Sequence, residues 1–136
     1  MFELIKRNLL KYTLLVDGIV STVAGVAFLG FSGLAAELIG PAFTSGIVMG
    51  LGAFLFVWGL FHLAMSSQAT ASARGVAVAI AGDALWVSGS IAVLIVDWNG
   101  LTAIGAVFIA VLALAVADIM LLKMKGLSDQ RRMAAA

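Results

Sequence analysis

The chain has 136 residues, 63% hydrophobic and 11% charged, with a mean hydropathy of +1.17 and a net charge of +1. Soluble domains carry about 25% charged residues, so this composition points away from a soluble module and toward a membrane protein of one domain. With zero cysteines, disulfides, thiolate metal sites and Cys nucleophiles are excluded.

In chain order, Met1 to Leu10 reads as a short interfacial helix. Phe2, Ile5, Leu9 and Leu10 suit the membrane side; Lys6, Arg7 and Lys11 suit water and lipid phosphates. A first span is expected over about 12–31. It is too long for a signal-peptide core and it contains Asp17, so no cleavage is expected. The connector to Pro41 is broken by Gly33 and Gly40, with Leu34, Leu38 and Ile39 suggesting a turn or two of surface helix. Pro41 suits the first turn of the next helix. The second span is expected over about 43–65, the third over 76–96 and the fourth over 101–122, each near the ~20 residues that cross a bilayer. A polar linker separates spans two and three, the turn Asp97-Trp98-Asn99-Gly100 separates three and four, and a mobile basic tail follows. The expected fold is therefore all-α, a four-transmembrane-helix bundle.

The basic residues Lys6, Arg7, Lys11, Arg74, Lys123, Lys125, Arg131 and Arg132 all fall at one side of this layout, whereas the first and third loops carry only Glu37 and Asp97. The positive-inside rule then puts both termini in the cytoplasm, with the basic residues meeting anionic lipid rather than nucleic acid. A 2+2 parallel repeat is suggested by Asp17 matching Asp83, by Thr22 and Ser88 each five positions later, and by His62 matching Asp118.

Each span thus carries one ionisable residue: Asp17, His62, Asp83 and Asp118. At 1.5 Å per residue all four lie roughly 6–11 Å inside the cytoplasmic edge of the hydrocarbon, which suggests a polar ring at one depth. Ser21 shares a face with Asp17, Trp58 with His62, and Trp86 and Ser90 with Asp83. Gly46-xxx-Gly50 adds a small-residue contact stripe. The indoles of Trp58 and Trp86 are expected to pack in the core, with the Trp86 N–H reaching a carboxylate. Three aspartates and a histidine cannot all be charged cheaply, so at least one Asp should hold a proton or pair with His62. The ring serves either as a proton or cation site or as glue between helices, its acids reaching toward cytoplasmic water with Lys11, Arg74 or Lys123 as partners. With spans one, three and four apolar in their outer halves, the expected shape is a polar pocket open to the cytoplasm and closed outside by a dry plug.

Other chemistry lacks support. A Ser–His–Asp set drawn around His62 has no marked nucleophile or oxyanion hole. Asp17, Asp83, Asp118 and His62 include no close-spaced ligand pair, and haem would need His62 opposed by Met65, Met120 or a second subunit. No metal, cofactor or catalytic residue is assigned.

The stretch Asp83-xx-Trp86-Val87-x-Gly89-Ser90, with the four-span layout, resembles a pattern in small uncharacterised bacterial integral membrane proteins. The resemblance implies a bacterial inner-membrane location and no activity. In size and span number the chain is also similar to the small multidrug resistance transporters, dimers with a membrane-embedded Glu in span one. Asp17 is the nearest counterpart here, it lies shallower, and the rest of that pattern is missing. Two functions follow as expectations. The favoured one is a non-enzymatic accessory, scaffold or assembly subunit of a membrane complex; the alternative is a small dimeric proton- or cation-coupled transporter or channel.

Overall fold

The computed structural model describes residues 1, 4 and 8–136. Most of the expected interfacial helix, including Phe2, Ile5, Lys6 and Arg7, lies outside the described residues. Those described form five α-helices and no strand: α1 (Leu9–Gly30), α2 (Ser32–Ile39), α3 (Ser45–Ser66), α4 (Ala73–Val96) and α5 (Ala103–Ala135), with a single 3-10 turn at Trp98–Gly100. All but α2 are long and apolar enough to cross a membrane. The fold is all-α and of the multi-pass membrane type.

Three helices begin on a hydroxyl cap. Thr44 Oγ1 accepts from Ile47 N at 3.2 Å, Ser72 Oγ from Gly75 N at 3.3 Å, and Thr102 Oγ1 from Gly105 N at 2.9 Å. Each cap satisfies one of the amides that a helix start leaves without a partner. The Thr44 cap also corrects the expected role of Pro41. Pro41 lies in a turn closed by Phe43 N donating to Gly40 O at 2.9 Å, before the helix begins. Gly40 there has φ +130°, which a side chain would strain.

This turn locks onto the last loop. Ala42 N donates to Gly100 O and Thr102 N to Ile39 O, both at 2.9 Å, while Thr102 Oγ1 also donates to Leu38 O. Gly105 allows the junction, because a Cβ there would collide with the Ile39 carbonyl. Ala36, Ile39 and Val48 form an apolar cluster beneath it.

Helix α1 packs most extensively on α3, α4 on α5, and α1 joins the two pairs through α5. The α1–α3 seam is built from glycines seven residues apart, Gly18 and Gly25 on α1 against Gly52 and Gly59 on α3. A Cβ at Gly25 would lie 2.5 Å from Phe56 N, and one at Gly52 would lie 2.9 Å from Leu29 N. Seven residues are nearly two full turns, so each pair repeats on one face and lets the backbones close in. The expected Gly46/Gly50 stripe is not this seam: both residues are exposed, and a Cβ at Gly50 meets nothing within 4 Å. The stripe points about a third of a turn or more away from the seam.

The tail expected to be mobile continues α5 to Ala135. It is held because Gly126 sits against Leu10, Leu127 joins a core with Leu10 and Leu14, and Gln130 Nε2 donates to Ala71 O at 3.0 Å.

Gly25→Ala should therefore lower stability by about 1–3 kcal/mol through overpacking, whereas Gly50→Ala should stay within about 0.5 kcal/mol. Denaturant titration of the two variants in mixed micelles tests this, and equal effects would refute the seam.

Candidate functional site

At the depth of the expected ring, three helices present acceptors to one cation from the fourth. Lys123 on α5 is 0% exposed, and its Nζ lies 2.5 Å from Asp17 Oδ2, 2.6 Å from Asp83 Oδ2 and 2.9 Å from His62 Nε2. An ammonium has three N–H donors, so all three are taken within the bundle. His62 is also 0% exposed, Asp83 4% and Asp17 7%.

Each acceptor is held in turn. Asp17 Oδ1 accepts from Ser21 Oγ at 3.0 Å, one turn along α1. Ser21 thus serves the carboxylate and gives His62 no nucleophile to activate. His62 Nδ1 lies 2.8 Å from the Trp58 carbonyl, which can only accept, so Nδ1 carries a proton and Nε2 offers its lone pair to Lys123. The same Nε2 lies 3.2 Å from Asp17 Oδ2, a contact that becomes a hydrogen bond when Nε2 gains a proton. With the imidazole neutral and both acids ionised, the cluster carries one net negative charge; a single proton neutralises it.

Trp58 is half-buried and lies in neither apolar core cluster. Its ring stacks on Phe54 at 5.5 Å, meets His62 edge-on at 5.1 Å, and crosses to α4, where a Cβ on Gly82 would strike it. Gly82 precedes Asp83, so the indole that closes α3 on α4 also walls the ion cluster.

The expected ring needs three corrections. Asp118 is exposed and does not join it. Asp118 and Lys123 stand five residues apart, about 140° around the helix, so the inward turn of Lys123 carries Asp118 outward. Ser88, five residues from Asp83, is exposed for the same reason. Ser90 and Trp86 are half-buried, but Trp86 Nε1 reaches no carboxylate: it is the one buried side-chain polar atom without a partner among the described residues.

Nor, among the described residues, does the pocket at the basic end, lined by Lys11, Gln68, Asp129 and Gln130, include Asp17, His62 or Asp83 in its lining. Leu10 and Leu14 precede Asp17, Met65 follows His62, Val76 and Ala79 precede Asp83, and Leu127 follows Lys123, and together these residues form one buried core. The cluster is thus sealed on the side where the expected pocket would open. In the sequence, Lys123 follows the apolar run of the fourth span as a flanking charge and is one of three basic partners within reach of the acids. A stronger signal was its spacing of about five turns from Gly105, on the buried face that also holds Ala113 and Gly126.

Asp17, His62 and Asp83 place one ligand atom each within 4.8 Å of one another, a donor set suited to a divalent cation. The Lys123 ammonium fills the position such an ion would take. Chemically the cluster is a desolvated ionic clamp across four helices.

Removing the cation strands two buried carboxylates. Lys123→Met should cost about 3–5 kcal/mol, while Asp118→Asn should stay within about 0.5 kcal/mol. Thermal unfolding in detergent checks both, and a Lys123→Met protein as stable as the parent would remove the clamp.

In comparisons with known proteins, no family model, no curated protein and no solved structure matches the chain.

Proposed function

We propose that the chain is a non-enzymatic accessory, scaffold or assembly subunit of a membrane complex, with the Asp17–His62–Asp83–Lys123 cluster locking its helices. The observation that carries this reading is the closure of the cluster: every ammonium proton is used internally and an apolar core caps it toward the basic end. A cluster this deeply buried, with its ammonium fully used inside the bundle, holds structure more readily than it handles substrate. The work then falls to the outside of the helices, where large apolar residues such as Val20, Val23, Val57 and Leu114 are exposed to lipid or to a neighbouring protein.

Orientation and location belong to the same proposal. Lys11, Arg74, Lys125, Arg131 and Arg132 gather at the end of the helices away from the loop junction, which supports a bacterial inner-membrane protein with cytoplasmic termini and anionic lipid around that face. The parallel repeat, with Asp17 matching Asp83 and His62 matching Asp118, belongs to the proposal as well, and the ammonium that Asp17 and Asp83 share supports its first match.

One observation favours the second reading, a dimeric proton- or cation-coupled transporter. His62 Nε2 lies within 3.2 Å of both the Lys123 ammonium and an Asp17 oxygen, so one proton can change the bonding of the whole cluster.

Two measurements separate the readings. Extracted gently from its own membrane, the protein should travel with a second polypeptide in fixed ratio on native mass spectrometry, and Asp83→Asn should lose that assembly. Reconstituted alone in liposomes, it should not dissipate a pH gradient. A homodimer alone, with proton flux that Asp83→Asn alters without loss of assembly, would establish the transporter instead.

A further inference from the structure

Between the start of α4 and the last turns of α5, at the basic end of the bundle, runs a groove of about 550 Å³. Its floor and sides are apolar: Leu127 is buried, Ile80 is half-buried, and Ala77 and Met124 are exposed. Toward the end of α5 the lining changes character, because Arg131 and Arg132 both face the groove. None of the four members of the ion cluster belongs to it.

The charge of the lining is of one sign. No acidic residue lines the groove, and among the described residues neither arginine pairs with a carboxylate. Asp129, next to them in sequence, lines a different pocket together with Leu10 and Lys11 of α1. Arg74 adds a third exposed guanidinium, one turn before Ala77 on the same face of α4. Each guanidinium presents a planar fork of N–H donors that matches the oxygens of a phosphate. A phosphate that carries its own ammonium gains no partner for that ammonium here, so the groove favours a net anion.

Depth selects the rest of the ligand. Lys123 Nζ touches Asp83 Oδ2 at 2.6 Å, so α4 and α5 are level at these two residues. From there Arg74 and Arg131 lie roughly 12–14 Å toward the same end, each on its own helix. With Asp83 roughly 6–11 Å inside the hydrocarbon edge, the guanidiniums fall in the headgroup layer, while Met124 and Ile80 stay beside hydrocarbon. The occupant is therefore anionic at one end and hydrocarbon at the other, along the membrane normal. An acidic segment of a partner protein would meet the arginines but leave Met124 and Ile80 to lipid. Tails gain little on entering, since lipid is as apolar as the groove, and so the headgroup sets the selectivity.

We propose that this groove binds one anionic glycerophospholipid, with its phosphate at Arg131 and Arg132, Arg74 alongside, and an acyl chain lying over Ala77, Ile80, Met124 and Leu127. The proposal rests on the reading that the basic end meets anionic lipid and narrows it to one site; it holds for a scaffold and for a transporter alike.

The test is native mass spectrometry of the whole chain in an alkyl maltoside, titrated with dioleoyl phosphatidylglycerol or dioleoyl phosphatidylcholine. One phosphatidylglycerol should be retained saturably, about tenfold or more tighter than phosphatidylcholine. The double variant Arg131→Gln, Arg132→Gln should weaken it about tenfold or more. Ala77→Phe, which fills the groove and leaves every charge in place, should weaken it about threefold or more. Lys11→Gln with Lys125→Gln removes the same charge from the same end outside the groove, and screening should keep its effect below about twofold. All five positions are exposed, so these variants keep the fold. Equal losses from the two double variants would leave a diffuse basic face and overturn the groove site alone, whereas no preference for phosphatidylglycerol would overturn that wider reading as well. The lipid site also fails if Ala77→Phe binds like the parent, if soluble glycerol phosphate displaces the lipid and so marks a small-anion site, or if a short oligoglutamate does so and marks a protein-docking surface.

Discussion

An ammonium buried among apolar helices must find acceptors for three protons, and Lys123 finds them on three other helices. That requirement organises the molecule. A cation at this depth is costly without partners, so α1, α3 and α4 must each bring one side chain to the same point on α5. The glycine seam sets how closely α1 approaches α3, and with it the 3.2 Å between His62 Nε2 and Asp17 Oδ2. Trp58 spans the wider gap from α3 to α4 and keeps Asp83 in place. Packing and electrostatics here are one constraint: a shift in the seam would lengthen the contacts of the clamp.

The two ends of the bundle use different physics for the same purpose. At the loop junction, backbone amides and carbonyls from separate hairpins satisfy one another, and Gly40 and Gly105 permit the approach. Toward the basic end, Leu10, Leu14, Val76 and Leu127 close over the charges by burial alone. The charges between them are held apart from water on that side, which strengthens each ionic hydrogen bond and raises the cost of losing any single member.

Much of this was legible in the sequence, and the misses have a common cause. Counting residues from a span's edge gives depth, and depth was enough to group Asp17, His62 and Asp83. It does not give azimuth, so Asp118 was drawn into the ring although it turns away from Lys123. Hydropathy falls at Leu122 and so makes Lys123 look like a flank, but the helix itself runs on to Ala135, carried by Gly126, Leu127 and Gln130. The glycine stripe went astray in the same way, since the four-residue spacing of Gly46 and Gly50 drew notice while the seven-residue spacing of Gly52 and Gly59 makes the contact. Which face of a helix turns inward depends on all of its neighbours, and no single span's sequence contains them.

The cation that completes the clamp sits on α5, which follows in sequence the three helices it joins. During synthesis α1, α3 and α4 emerge first, and until α5 arrives their two carboxylates and imidazole have no ammonium to bind. The nascent protein therefore passes through a stage with unmatched acids at membrane depth, and delivery of α5 ends it. A chain broken before Lys123 would keep two carboxylates and an imidazole at that depth with no ammonium to match them.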